Sequence, residues 1–263
     1  MSATYVFDDA WADERSRIGS LEHMLDPGTE ALLDRLGVGP GWRCLEVGAG
    51  AGSTARWLAE RVGPSGHVLA TDTQITFLEP LRSPTLEVRR HDMCADGPPG
   101  TGFDLVHVRW MLHWPATRRE GLRRMVACLR PGGLLVAEEP DCASAFHGST
   151  DPVVGRVLTA AIELLQELAG GMDAAYGRRL FHDVRDEGLL DIGSAGRTHM
   201  LRGADADSGA AWLRYTVEKV RERLPERGAV TAEEIGHVLD LLGDPGFAMV
   251  APTTIAVWGR RPF

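Results

Sequence analysis

What the 263-residue chain has little of already narrows its function. It contains four cysteines and a single lysine, and none of its apolar runs approaches the roughly 20 residues that span a bilayer. The four cysteines, Cys44, Cys94, Cys128 and Cys142, form no CxxC pair and have no histidines at zinc spacing. We therefore expect no metal site, reduced thiols, and a cytoplasmic protein without a signal peptide or membrane segment.

Concentrated positive charge is also missing. Asp and Glu outnumber Lys and Arg by 37 to 28, which gives a net charge of -9 and an isoelectric point near 5.5. Nucleic acid and anionic membranes both require a positive face on their partner, and no Lys/Arg cluster supplies one here. We expect a small-molecule partner, with no nucleic acid and no membrane.

The spacing of apolar residues predicts alternating strands and helices in the first half of the chain. The predicted strands are 43–47, 67–71, 86–90, 105–110 and 134–138, and the predicted helices are 53–62, 75–81 and 118–129. The turn Arg130-Pro131-Gly132-Gly133 ends the last of these helices, because proline cannot continue it. Such alternation predicts an α/β, doubly wound sheet with helices on both faces.

The flanks are predicted to be mainly helical. Helices are predicted at 9–24 and 27–36, and again at 152–168, 178–187, 209–224 and 232–242, while 191–200 and 249–259 are strands that complete the sheet. We interpret this as one domain over 1–263, with N-terminal helices at 1–36 and the core at 37–143. A helical cap with the sixth strand then covers 144–248, and the last strand 249–263.

The most informative segment is Cys44-Leu45-Glu46-Val47-Gly48-Ala49-Gly50-Ala51-Gly52-Ser53, where a buried strand turns into a helix. Glycines allow a ligand to approach the backbone, and the helix N-terminus offers unpaired N–H groups to an anionic group. About twenty residues later, Asp72 ends the second strand, where a carboxylate can accept both hydroxyls of a ribose. These features suit a dinucleotide and adenosylmethionine equally.

The glycine spacing separates the two ligands. A dinucleotide fingerprint requires a glycine three residues after Gly50, where this chain has Ser53. The chain has ExGxGxG instead, and together with Asp72, Asp92-Met93 and the Leu129–Gly133 turn it resembles the class I S-adenosylmethionine-dependent methyltransferase family. The resemblance is strong over 42–141, and within the family it is greatest to the ubiquinone/menaquinone-biosynthesis-like small-molecule branch.

The resemblance implies a Rossmann-like, mostly parallel seven-stranded sheet and S-adenosyl-L-methionine as cofactor, with S-adenosyl-L-homocysteine as product. The glycine loop would lie against the methionine moiety and Asp72 would bind the ribose. Thr73, Asp92 and Met93 would surround the adenine, and Arg109 with Trp110 would close over the sulfonium side. The implied cofactor-binding residues are Glu46, Gly48, Ala49, Gly50, Gly52, Asp72, Thr73, Asp92, Met93 and Arg109.

A catalytic base is expected beyond the fourth and fifth strands, because ligands of open α/β sheets bind at the carboxyl ends of the strands. His113 is the first candidate, although a packing role fits it equally well; His147 and Glu139 are lesser candidates. His107 lies inside an apolar strand and is interpreted as a core residue. Transfer of a proton from a phenol with a pKa near 10 to an imidazole with a pKa near 6.5 is uphill by about 3.5 pKa units, roughly 5 kcal/mol. The proton must therefore move as the new bond forms.

Aromatic residues suggest the character of the substrate. A pocket for a flat or hydrophobic molecule is mostly apolar, but the same aromatic residues equally suit packing of the N-terminal helix on the domain. The predicted substrate-binding residues are Tyr5, Trp11, Trp110, Trp114, Glu139 and His147. The late helices, with Trp212 and Tyr215, fit either a lid or a homodimer interface.

Three functions remain compatible with these features. The first is a methyltransferase that acts on an O, N or C nucleophile of a small molecule, such as a natural-product intermediate. The second is a protein that binds adenosylmethionine without transferring methyl, as a cyclisation catalyst or regulator. The third, a nicotinamide-dependent oxidoreductase, is disfavoured by the glycine spacing. A cofactor site by itself does not separate the first two.

Overall fold

The computed structural model describes residues 6–7, 10–145 and 149–263. The helices are α1 (Glu14–Arg35), α2 (Ser53–Val62), α3 (Arg118–Cys128), α4 (Pro152–Ala169), α5 (Gly177–Asp186), α6 (Ala210–Val220) and α7 (Ala232–Leu242). The strands are β1 (Arg43–Val47), β2 (His67–Asp72), β3 (Leu86–Arg90), β4 (Phe103–Arg109), β5 (Leu129–Asp141), β6 (Leu190–Arg197), β7 (Met200–Arg202), β8 (Ala248–Val250) and β9 (Thr253–Arg260).

The main sheet has seven strands in the order β3-β2-β1-β4-β5-β9-β6 within the described residues. The pairs among β1 to β5 are parallel, and β9 runs antiparallel to both β5 and β6. The strand order reverses between β1 and β4, so the carboxyl ends of these two strands flank the crevice where such sheets bind ligands. The predicted α/β, doubly wound, Rossmann-like fold is confirmed.

Three apolar clusters hold the layers together. Alternate side chains of β5 face opposite ways: Leu134 and Val136 pack with α1 and α2, and Leu135 and Ala137 pack with α3 and α5. A third cluster joins α4, α6 and α7 to part of α1. The cap therefore has a core of its own, which lies beside the carboxyl end of the sheet.

The prediction of two N-terminal helices is wrong in the described part of the chain. One helix, α1, runs from Glu14 to Arg35 with Pro27 inside it. Proline removes one helical hydrogen bond, but buried residues on both sides of it, such as Met24 and Leu32, keep the helix packed against the rest of the molecule.

The boundaries of several other helices and strands also differ from the prediction. The predicted helix 75–81 is a single 3-10 turn, Glu79–Leu81, because Pro80 prevents the preceding residues from continuing as a helix. β4 ends at Arg109, so Trp110 lies outside it. The predicted last strands are each interrupted, which leaves the short β7–β8 pair separate from the main sheet. The Arg130–Gly133 turn is a bulge inside β5, between the pairs Phe103–Leu129 and Leu105–Leu134.

No helix among the described residues is long and apolar enough to cross a membrane.

Candidate active site

A cavity of about 750 Å³ lies at the carboxyl end of the sheet. Its polar side is formed by Glu22 of α1 and by residues 46–50, 72–74 and 91–93, which follow or end β1, β2 and β3. Its other part, the apolar chamber, is lined by Trp110, Trp114, Leu158, Ala161, Ile162, Leu165, Met172, Trp212, Leu213 and Val217, with His113 at its wall. The volume lies in the upper part of the ~300–1,000 Å³ range of small-molecule sites.

The glycine loop needs glycine at the positions that face the cavity. Gly48 and Gly50 have φ angles of +67° and +58°, which other residues rarely adopt. A Cβ on Gly48 would also lie 2.7 Å from the Cγ atom of Met111. The N–H of Gly50 donates to Oδ2 of Asp72 at 3.0 Å, so the loop and the carboxylate that ends β2 are held together.

Gly52 differs from the other two glycines. Unlike residues 48–50, it does not line the cavity, and a Cβ there would lie 2.4 Å from Cδ1 of Leu81 and 2.9 Å from Cδ2 of Leu78. The structure therefore places Gly52 in the packing beneath the loop, although the resemblance implied a place beside the ligand.

The expectation that the N-terminus of α2 offers unpaired N–H groups is wrong for Ser53, its first residue, and the N–H of Ala51 in the preceding loop is also paired. The N–H groups of Ala51 and Ser53 donate to Oε1 of Glu22 at 3.1 and 3.3 Å. Burial raises the pKa of Glu22, and this is partly opposed by Arg109 and by the N–H of Ser53. Sequence reasoning missed Glu22, because nothing in its local pattern separates it from the other acidic residues of α1.

Negative charge is concentrated on the polar side. Five carboxylates line it, those of Glu22, Glu46, Asp72, Asp92 and Asp96. Asp92 accepts hydrogen bonds from the N–H groups of Cys94 and Ala95 on Oδ1 alone, at 2.8 and 3.1 Å. Such a surface attracts a cationic group and repels a phosphate.

Two of the three arginines in the described part of the lining are already paired with carboxylates of α1. Arg109 donates to Oδ1 of Asp26 at 2.8 Å and to Oγ1 of Thr29 at 3.0 Å, so it fastens β4 to α1. Arg17 makes two hydrogen bonds of 2.7 Å to Glu14. Arg90 is exposed at the end of β3.

The adenine-binding residues expected from the resemblance do come together. Thr73 and Met93 both line the cavity, and Met93 is 2% exposed. Gln74, which sequence reasoning missed, lies beside them and donates from Nε2 to the carbonyl oxygen of Phe7 at 3.2 Å.

Trp110 makes a sharp turn after β4. Its φ angle of +53° lies in the left-handed region, which costs about 1–3 kcal/mol for a residue of this size. The turn is held by a hydrogen bond of 3.1 Å from Nε1 to Oγ1 of Thr254 and by edge-on packing against Trp212 at 5.4 Å. The next four residues are thereby directed along the cavity wall.

His113 and Glu139 form a buried pair at this wall. Glu139 is fully buried, and its carboxylate accepts hydrogen bonds from the N–H groups of Met111, Leu112 and His113 at 2.7–3.1 Å. It also bonds Nδ1 of His113 at 2.9 Å. The predicted place of Glu139 at the pocket surface is therefore wrong, because it lies behind His113. Within the described residues, Nε2 of His113 has no hydrogen-bond partner, and the ring lines the cavity.

His107 is a core residue, as predicted from the sequence. Its Nδ1 lies 2.6 Å from Oε2 of Glu46 and its Nε2 lies 3.3 Å from Oε1 of Glu138, which also pairs with Arg197. Complete burial by itself lowers the pKa of His107, but Glu46 and Glu138 together raise it to about 9. This network joins the centre of the sheet to Glu46 at the cavity.

Two of the four free cysteines also line the cavity, Cys94 and Cys142. Burial raises the pKa of Cys94 to about 11 and that of Cys142 to about 12.

The remaining predicted substrate residues divide into three groups. Trp110 and Trp114 line the apolar chamber. Trp11 does not line it; its ring packs instead against Phe7 and Tyr215 and lies under Lys219. Tyr5 and His147 lie outside the described residues.

Comparison with known proteins agrees with this architecture. A family described as a methyltransferase domain matches residues 44–133. The chain is 31% identical to methyltransferase str2 of Strobilurus tenacellus over 140 aligned residues. The aligned region covers 52% of this chain and 50% of that protein. It is 29% identical over 165 residues to the ubiquinone/menaquinone biosynthesis C-methyltransferase UbiE of Hahella chejuensis, covering 58% of the chain and 64% of that protein. The chain thus spans about half to two thirds of the length of these relatives.

A solved structure shares the fold. Phosphoethanolamine N-methyltransferase 2 of Haemonchus contortus, solved with phosphomonomethylethanolamine and S-adenosylhomocysteine, superposes with a TM-score of 0.61 at 14% identity, covering 98% of this chain and 59% of that one. The matched domain contains the glycine loop, Asp72, Asp92 and the Arg130–Gly133 bulge. On the strength of that match and this sheet order, residues 44–133 form a methyltransferase domain of the class I S-adenosylmethionine-dependent type.

Proposed function

We propose that the chain binds S-adenosylmethionine on the polar side of the cavity and transfers its methyl group to a small molecule in the apolar chamber. The observation that carries the proposal is the continuity of the two parts. One cavity joins a carboxylate-lined glycine loop to a pocket lined by tryptophan and aliphatic side chains.

The charge of the polar side fits this cofactor better than a dinucleotide. S-adenosylmethionine carries a sulfonium and an ammonium group, and five carboxylates line the part of the cavity that would hold it. A dinucleotide would bring its pyrophosphate to the N-terminus of α2, where Glu22 already accepts the N–H groups.

A nicotinamide-dependent oxidoreductase is also disfavoured by the position of Tyr215 and Lys219. These two residues have Tyr-x-x-x-Lys spacing in α6, but both contact the ring of Trp11 and neither lines the cavity. They are therefore not placed to act on a ligand bound there.

Individual roles follow for the polar side. Residues 48–50 would lie against the methionine moiety, and Asp72 would accept the ribose hydroxyls. Asp92, with one carboxylate oxygen bonded to its own turn, would accept the exocyclic amine of the adenine on the other. Glu46 is held by His107 and would orient the ammonium group.

Bound S-adenosylmethionine supplies a methyl group on a positively charged sulfur. The chain's contribution is to align the nucleophile of the acceptor with that methyl group, and effective-molarity arguments allow about 7–11 kcal/mol from such alignment. His113 would accept the acceptor's proton on Nε2 while the new bond forms, and Glu139 would hold the ring with Nδ1 protonated. The tryptophans and aliphatic side chains would exclude water from the nucleophile.

We propose the cytoplasm as the location, since the four cysteines are free. A natural-product intermediate is the proposed acceptor, in line with the apolar chamber.

α4 and α6 line that chamber and therefore support the lid role of the late helices, while a homodimer interface stays a prediction.

Calorimetric titration with S-adenosylmethionine, S-adenosylhomocysteine and NAD tests the cofactor. We expect micromolar binding of the first two and a loss of roughly tenfold or more in Asp72→Asn, because that change removes a charged hydrogen-bond acceptor. Asp240→Asn, on the exposed side of α7, is the matched control. Binding of NAD alone, or of none of the three, would reject the proposal. Release of S-adenosylhomocysteine in the presence of an acceptor distinguishes transfer from binding without transfer.

A further inference from the structure

Most side chains that line the chamber are apolar on each element that contributes to it. Leu158, Ala161, Ile162 and Leu165 follow one face of α4, at the spacing of successive helical turns. Trp212, Leu213 and Val217 come from α6, and Trp110 and Trp114 come from the loop after β4. Three indole rings therefore face a common space, which suits a flat molecule.

Fixed charge is absent from the described residues of this chamber. Two of the cavity's arginines, Arg17 and Arg109, are each paired with a carboxylate of α1, and Arg17 also lies over the ring of Phe7 at 3.8 Å. An acceptor with a carboxylate or phosphate group would lose its hydration there without gaining a cationic partner.

Among the described residues, the chamber also offers no unpaired carboxylate to an ammonium group. The carboxylate of Glu139 lies fully buried behind His113 and already accepts four hydrogen bonds. The hydroxyl of Thr216 donates to the carbonyl oxygen of Trp212 at 2.7 Å, and Nε1 of Trp110 donates to Thr254. Nε2 of His113 remains as the ring atom that can receive a hydrogen bond from a ligand.

From this arrangement we infer that the acceptor is an uncharged, largely apolar, flat molecule whose reacting group is a hydroxyl that faces Nε2 of His113. The inference rests on the proposed function. In the transfer, the acceptor oxygen forms a bond to the methyl carbon as the carbon–sulfur bond breaks, and that electron pair stays on sulfur. The O–H proton passes to Nε2 of His113, and Glu139 balances the imidazolium. A neutral amine can attack through its lone pair before losing a proton, so a buried, oriented base is most useful to a hydroxyl.

Four matched probes test the acceptor class on protein saturated with S-adenosylhomocysteine: 2-naphthol, 2-naphthoate, 2-naphthylmethylammonium and 2-methoxynaphthalene. We expect calorimetry to show 2-naphthol binding roughly tenfold or more tighter than either charged probe, because neither charge finds a partner in the chamber. 2-Naphthol should also bind about three- to tenfold tighter than 2-methoxynaphthalene, which has no O–H group to donate a hydrogen bond to His113. His113→Phe should abolish that last difference and leave S-adenosylhomocysteine binding intact.

A pair of variants on α4 tests the charge selection directly. Ile162 is half-buried and lines the chamber, and Leu168 is half-buried on the same helix but does not line it. Ile162→Lys should shift the preference toward 2-naphthoate, and Leu168→Lys should leave the order of the probes unchanged.

The outcomes separate the two proposals. If S-adenosylhomocysteine binds but 2-naphthoate binds as tightly as 2-naphthol, the uncharged acceptor is wrong and the proposed function stands. If 2-naphthol and 2-methoxynaphthalene bind equally, the hydroxyl facing His113 is wrong. If S-adenosylhomocysteine fails to bind, the proposed function itself is overturned.

Discussion

Two histidines of this molecule each form a hydrogen bond with a glutamate of β5, and the surroundings of the two pairs differ. His107 lies inside the sheet between Glu46 and Glu138, and His113 lies at the cavity with Glu139. Glu138 and Glu139 are consecutive, so their side chains leave β5 on opposite faces and serve different layers of the fold. One strand thus supplies the partner of a core histidine and the partner of a cavity histidine.

The difference teaches that the second ring nitrogen decides what each pair can do. Both nitrogens of His107 are bonded to carboxylates, and with Arg197 the four groups carry two negative and two positive charges. His113 has a partner at Nδ1, whereas its Nε2 has none in the described part of the chain. A fully bonded imidazole supports structure, and a half-bonded one can exchange a proton.

The largest expected effect comes from breaking the cavity pair. In His113→Gln, the amide can still donate to Glu139 but cannot accept a proton, so we expect methyl transfer to fall by about 10²–10⁴-fold. Turnover of an acceptor found by screening measures this, together with calorimetry for S-adenosylhomocysteine, whose affinity should not change. His23→Gln, on the exposed side of α1, is the control. An unchanged rate would assign His113 to packing.

Breaking the core pair should act on stability instead. His107→Gln leaves Glu46 and Glu138 buried without the imidazolium between them, and we expect a loss of about 3–5 kcal/mol in the free energy of unfolding. Urea denaturation measures it. His67→Gln removes a half-exposed histidine that lies 3.5 Å from Glu87 and should cost less than about 1 kcal/mol. Equal losses in the two variants would contradict the structural role of the buried network.

The same pair predicts a pH dependence. The folded-state pKa of His107, raised to about 9, lies above the ordinary value of 6.5, so the folded protein binds this proton more tightly than the unfolded chain. The resulting stabilisation is complete below pH 6.5 and is lost as the pH rises through about 9. We expect the free energy of unfolding to fall by on the order of 3 kcal/mol across this window. Urea titrations at several pH values should show this decline in the wild type and not in His107→Gln.

The smallest expected effect sharpens the role of Glu139. A glutamine there has a single accepting oxygen, so Glu139→Gln cannot serve both the loop N–H groups and Nδ1 of His113. We expect the rate to fall by about 10- to 100-fold, as when the partner of a functional histidine is lost, with a displaced pH–rate profile. Glu233→Gln, exposed on α7, is the control. A lower rate with an unmoved profile would show that Glu139 supports only the shape of the loop.

Much of the fold could be predicted from the sequence because its signals are local. The bounds of β1, α2 and α7 agree with prediction, since apolar periodicity and the glycines or capping residues beside them determine those elements. The core position of His107 followed from its apolar strand. The continuity of α1 through Pro27 did not, because contacts on both sides of the proline maintain it.

The polar side was predictable to a similar degree, and the rest of the site was not. Asp72 and the glycine loop meet because parallel strands end at one edge, which a motif can indicate. Glu22 reaches the N–H groups of α2 from a separate helix, and Glu139 pairs with a histidine 26 residues away in sequence. Such partners are set by tertiary packing, and one sequence carries no record of which residues it brings together.

Cys142 gives the cavity a further property. A site that holds an electrophilic methyl group exposes its own side chains to alkylation, and a thiolate would be the most reactive of them. Burial raises the pKa of Cys142 to about 12 and that of Cys94 to about 11, so both cavity thiols stay protonated near neutral pH. In the proposed complex with S-adenosylmethionine, neither thiol would therefore present a thiolate to the methyl group.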